Sequence, residues 1–104
     1  MKFNRITLMG NLLREKRKTI DAIDILLAGL LAERLAIAAS LAGLKKKVRD
    51  PIREAAVLKR AAGLVKDRKL LPAVLAVYRE IIKQGRRLQS ASLGKKQIKE
   101  PRTL

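Results

Sequence analysis

Arg17, Arg34, Lys45, the Arg53-Glu54 pair and Gln89 interrupt a Leu/Ala-rich pattern at positions where a chain built only for packing would more often carry an apolar or small residue. Side chains of these types suit the capture of a small anion, with guanidinium and ammonium groups on its charged oxygens and an amide as a neutral donor. The chain has no histidine and no cysteine, which removes imidazole bases, thiolate nucleophiles, disulfides and the commonest zinc ligands together. Any catalysis must therefore use carboxylates, cations and amides.

The spacing of these residues constrains where they can act. Lys45 follows Arg34 by eleven residues, close to three whole helical turns, so on one continuous helix both would face one side and could line one pocket. Arg17 lies a quarter-turn off that face and roughly 25 Å away along the axis. It cannot easily serve the same pocket within one chain, but in an antiparallel dimer it could reach the pocket of a partner.

The elements that must position them are helical. Of the 104 residues, 48% are hydrophobic but only 2% aromatic, so one domain with a core of Leu, Ile, Val and Ala is expected. No stretch alternates with period two for long enough to make a strand, and glycine and proline fall mostly near segment ends. Ile20, Ile23, Leu27, Leu30, Leu31, Ile37, Leu41 and Leu44 recur at steps of three and four, which predicts one amphipathic helix from about Asn11 to about Lys47. Asp50-Pro51 reads as an N-cap followed by proline at the first position of a second helix carrying Ala55, Val57, Leu58, Ala61 and Leu64. After the polar break Lys66-Asp67-Arg68-Lys69, Pro72 suits the start of a third helix with Val74, Leu75, Tyr78, Ile81, Ile82 and Leu88 on its apolar stripe. Ser90, Ser92 and Gly94 weaken that stripe. The expected organisation is an N-terminal tail over 1–10, a helical domain over 11–92, and a basic, disordered C-terminal tail over 93–104.

A first helix of that reach would be roughly 55 Å long, whereas a compact domain of this size has a radius of gyration of only about 13 Å. Two shorter helices cannot cover it, so two chains are expected to pair their long helices around a shared core. A kink near Gly29 giving a compact monomer is the alternative.

In their order and spacing, the stretches Leu13 to Arg17, Ile20 to Asp24, Leu30 to Arg34, Leu44 to Lys46, Asp50 to Glu54 and Ile81-Ile82 through Gln89 resemble the all-helical, type II chorismate mutases over most of the chain. The resemblance implies an intertwined dimer of three-helix chains that rearranges chorismate to prephenate in phenylalanine and tyrosine biosynthesis, without metal or organic cofactor. It implies that Arg17 crosses the dimer to one substrate carboxylate, that Arg34 holds a carboxylate from its own chain, and that Arg53 adds positive charge. Lys45 would hydrogen-bond the ether oxygen of the breaking bond, Gln89 would join it there, and Glu54 would accept from the ring hydroxyl with Asp50 nearby. Such a pericyclic reaction needs no proton transfer and no nucleophile, so the missing histidine and cysteine are no obstacle. Because Gln89 is neutral, its donor needs no acidic medium. Two departures from the family pattern stand out: the Lys45 to Asp50 link, which in the family helps close the pocket, is about four residues shorter, and Gly85 stands where a serine often touches a substrate carboxylate.

Other readings coexist with this one. Asp50-Pro51 with Glu54 one turn in makes a sound helix start whether or not it touches a ligand, and the Lys45 to Lys47 and Lys95-Lys96 runs suit solvated surface. An isochorismate pyruvate lyase would use the same fold. The net charge of +16, from 25 Lys+Arg against 9 Asp+Glu, raises a basic helical dimer that binds nucleic acid, against which stand the few aromatic residues and the lack of a reading motif. The same field could steer a dianionic substrate. The longest apolar run, Ile25 to Ala32, is far short of the roughly 20 residues that span a bilayer. Residues 1–10 carry no signal-peptide pattern, and a cytoplasmic, membrane-free protein is expected.

Overall fold

The computed structural model describes residues 4–45 and 47–99, with side chains described through residue 93. Three α-helices follow one another: α1 over Arg5–Ser40, α2 over Pro51–Gly63 and α3 over Leu71–Lys99, with a short 3-10 turn at Arg68–Leu70. The described residues contain no strand. Residues up to Glu33 form one unit, and those from Arg34 onward, including the last turns of α1, form a second.

The start of α1 differs from the expected Asn11 because another asparagine caps it. Asn4 Oδ1 accepts from the backbone N–H of Thr7 at 2.7 Å, and its carbonyl accepts from Leu8 N–H at 3.1 Å. Residues 5–10, expected as tail, are therefore helical, and Asn11 sits inside the helix with its Oδ1 accepting from Arg14 Nη1 at 3.3 Å. The helix continues without a break through Gly29.

Its end also differs, falling at Ser40 instead of about Lys47. Beyond Ser40 the chain tightens into three-residue turns, Leu41 N–H to Ala38 O, Ala42 N–H to Ala39 O and Leu44 N–H to Leu41 O. Gly43 then takes a φ of 87°, the left-handed conformation that closes a helix and that a Cβ would strain. Leu41 and Leu44 keep a three-residue step through this tightening, so the apolar spacing conceals the stop.

Helix α2 begins where the sequence predicts. Asp50 Oδ1 accepts from Arg53 N–H at 3.0 Å, Pro51 occupies the first helical position, and Glu54 lies in the first turn, where the helix dipole favours an acid. Asp50→Ala should lower unfolding free energy by about 1 kcal/mol through loss of this cap. A urea midpoint at fixed protein concentration checks it, and an unchanged midpoint would show that the cap is idle. Asp67 caps the 3-10 turn through Lys69 N–H at 2.9 Å, and Pro72 lies in the first turn of α3.

The backbone of α3 stays helical through Lys99, past the serines and glycine expected to weaken it, because each costs only a fraction of a kcal/mol to about 1 kcal/mol. Of the expected disordered tail, residues 100–104 lie outside the described residues.

Helices α2 and α3 pack on each other. Among the described residues Ala61 is the only buried hydrophobic side chain, and on α1 Ile20, Ile23 and Leu27 are each more than half exposed. No described helix is long and apolar enough to cross a membrane.

Candidate active site

Within the second unit, three segments turn matching faces toward one cavity of about 230 Å³. The end of α1 and the turn after it present Arg34, Ile37, Ala38 and Leu41, the cap and first turns of α2 present Asp50, Arg53, Glu54 and Val57, and α3 presents Ile82, Gly85, Arg86 and Gln89. Each set repeats the offsets of three, four and seven residues that define one face of a helix over two turns. Lys45 and Val48 close the cavity from the link between α1 and α2.

The structure thus brings together seven of the residues to which the sequence points: Arg34, Lys45, Asp50, Arg53, Glu54, Gly85 and Gln89. Arg17 is not among the lining residues. It lies in the first unit, on α1 beside a shallow hollow edged by Arg14, Lys18 and Asp21. Lys45 also reaches the cavity by a different route from the one expected. It is not three turns along a helix from Arg34, because α1 has already ended; it comes from the link beyond Gly43.

Lys45 is held by two hydrogen bonds. Its Nζ donates to the Val48 carbonyl at 2.8 Å and to Gln89 Oε1 at 3.2 Å. The first bond folds the short link over its own lysine. The second fixes Gln89, the one buried polar residue among the described residues, at 5% exposure. An ammonium has three N–H donors, so one remains on Lys45, and the Gln89 amide keeps its two N–H donors because its oxygen serves as the acceptor. Two donor groups from different segments are thereby set side by side.

The charges around the cavity do not balance. Arg34, Lys45, Arg53 and Arg86 supply four positive charges against two negative ones from Asp50 and Glu54. Asp50 is engaged by the α2 backbone and Glu54 by Arg86, whose Nη1 lies 2.8 Å from Glu54 Oε2. Among the described residues no carboxylate pairs with Arg34, Arg53 or Lys45. An excess of two positive charges, with three cations left unneutralised, suits a dianion.

Gly85 faces Ala38 at the end of α1, where a Cβ built on the glycine would meet the Ala38 Cβ at 3.5 Å, an ordinary contact that leaves room for a small side chain. The sequence does not single out Arg86. Its one signal is its place three residues before Gln89 on the same face of α3, but in a chain with 25 Lys+Arg one more arginine carries little information by type.

Taken together, the cavity can hold a small dianion and aim two hydrogen-bond donors at one of its oxygens. Residues 16–90 of the chain match the family model for chorismate mutase type II, which covers more than half of its length. No curated protein and no solved structure matches the chain.

Proposed function

As the chain belongs to the chorismate mutase type II family, we propose that it rearranges chorismate to prephenate in phenylalanine and tyrosine biosynthesis, and that the cavity between the end of α1, α2 and α3 is where it does so. The observation that carries this reading is the Lys45–Gln89 pair in a cavity with two surplus positive charges. In the rearrangement the ether C–O bond breaks as a C–C bond forms, in one concerted event with no proton moved. The ether oxygen gains negative charge on the way. The remaining Lys45 N–H and a Gln89 N–H are the donors for that oxygen, fixed in advance by their bond to each other. Arg34 and Arg53 hold substrate carboxylate charge and keep the side chain folded over the ring, the conformer from which the bond can form.

Arg17 enters this scheme through a second copy. We read the functional unit as a homodimer in which α1 packs on α1 of the partner. Support comes from Ile20, Ile23 and Leu27, apolar side chains exposed at three- and four-residue steps along α1.

The test is to supply purified protein with chorismate and to quantify prephenate, pyruvate and salicylate. Prephenate as the sole product is expected. Pyruvate release would replace the mutase by a lyase, and untouched chorismate would remove the reading.

Gly85→Ser should strengthen substrate binding. Its Cβ has room at 3.5 Å from Ala38, serine is the better helix former by a few tenths of a kcal/mol, and its hydroxyl would add one donor to the cavity. A several-fold lower KM at nearly constant kcat is expected, on the scale of one added hydrogen bond. A KM that rises would show that the hydroxyl obstructs the pocket.

A further inference from the structure

Glu54 occupies an awkward place for a carboxylate. Its side chain is only 18% exposed, and it lines a cavity that must accept a dianion. Left alone it would repel the ligand. Arg86 resolves this from α3, placing Nη1 2.8 Å from Glu54 Oε2, and its own side chain is 30% exposed. Among the described residues Arg86 has no other carboxylate partner and Glu54 no other cation.

The pairing is selective between the two carboxylate oxygens. Oε2 is taken by Arg86, so Oε1 is the acceptor left for a ligand. A charge-assisted bond of this length also restricts the rotation of the carboxylate, a restraint that an unpaired glutamate on the first turn of a helix would lack. Arg86 lies one helical turn before Gln89 on the same face of α3. One face of α3 thus carries both the donor Gln89 and the arginine that holds the acceptor Glu54.

We propose that Arg86 is a positioning residue: it aims Glu54 Oε1 at the ring hydroxyl of the substrate and thereby makes the enzyme selective for a hydroxylated ring. The proposal rests on the chorismate reading above. The pair is half-buried, and beyond any tie between α2 and α3 it orients and neutralises Glu54. Selectivity follows because an analogue without the hydroxyl leaves the fixed, partly buried Oε1 without a donor.

The experiment compares kcat/KM for chorismate with that for an analogue that keeps the enol ether and both carboxylates but lacks the ring hydroxyl. The wild-type chain should prefer chorismate by roughly 10- to 100-fold, the range for a hydrogen bond to a charged group. In Arg86→Met the preference should collapse to about threefold or less, with most of the loss on chorismate. Arg86→Lys, which keeps the charge but not the planar fork, should recover part of it. If Arg86→Met does not fold, Arg86→Lys and Arg86→Gln carry the comparison. A role confined to tying α2 to α3 would lower both substrates alike, and an unchanged preference in these variants overturns the proposal. Wild-type protein that leaves chorismate intact would overturn the function itself, a result distinct from turnover with an unaltered preference.

Discussion

Lys45→Ala is expected to lower kcat for chorismate by about 10³-fold while the helices remain folded. Loss of a single donor to an oxygen that gains charge in a transition state costs about 10²- to 10³-fold. Lys45 should fall at the upper end because its ammonium does three things at once. In the proposed reaction it is a donor to the reacting oxygen; in the structure it fixes Gln89 through the 3.2 Å bond to Oε1 and holds the link through the 2.8 Å bond to Val48. Its removal leaves the Gln89 oxygen, in a side chain only 5% exposed, without that partner, so the amide is free to turn its own donors away. The fold should survive because Lys45 lies in the link, outside all three helices. Steady-state kinetics beside a circular-dichroism melt separates the two effects. A loss below tenfold with an unchanged melt would mean that Lys45 does not touch the reacting oxygen.

Much of this architecture is legible in the residue pattern alone. The helical class follows from absent alternation and from sparse glycine and proline, and Asp50-Pro51 marks the start of α2 because an N-cap and a first-turn proline stand side by side. The ends of α1 are harder to read, for physical reasons. Asn4 and Asn11 are equally good caps, and only the continued helix between them decides in favour of Asn4. At the other end, tightened turns preserve the leucine spacing while Gly43 ends the helix. The eleven-residue spacing of Arg34 and Lys45 suggests a shared pocket on the geometry of a helix that does not extend that far; the two meet because the link folds back. Arg86 shows what local pattern cannot convey. Its meaning comes from Glu54, on another helix and 32 positions earlier in the sequence, and no periodicity within α3 distinguishes an arginine with such a partner from one facing solvent.

Arg17 gives the sharpest test of the proposed dimer. If each pocket takes Arg34, Lys45 and Gln89 from one chain and Arg17 from its partner, then Arg17→Ala and Lys45→Ala homodimers should each be nearly inactive, for different reasons. Mixed at equal concentration after reversible dissociation, they should regain about a quarter of wild-type activity. Random pairing places half of the chains in mixed dimers, and each mixed dimer has one pocket with an intact Lys45 and an intact partner Arg17, and one pocket lacking both. If Arg17 served a pocket of its own chain, no mixture could contain an intact pocket, and activity would stay at the level of the parents. The exchange must be slow to start, because the apolar surface proposed to lie between the chains, including Ile20, Ile23, Leu27 and Leu30, makes separation costly. Recovery should therefore appear after joint unfolding and refolding, or after long incubation, and not on simple mixing. Activity that returns at once would indicate chains that exchange freely, and such a weak association is incompatible with a core shared between two copies of α1.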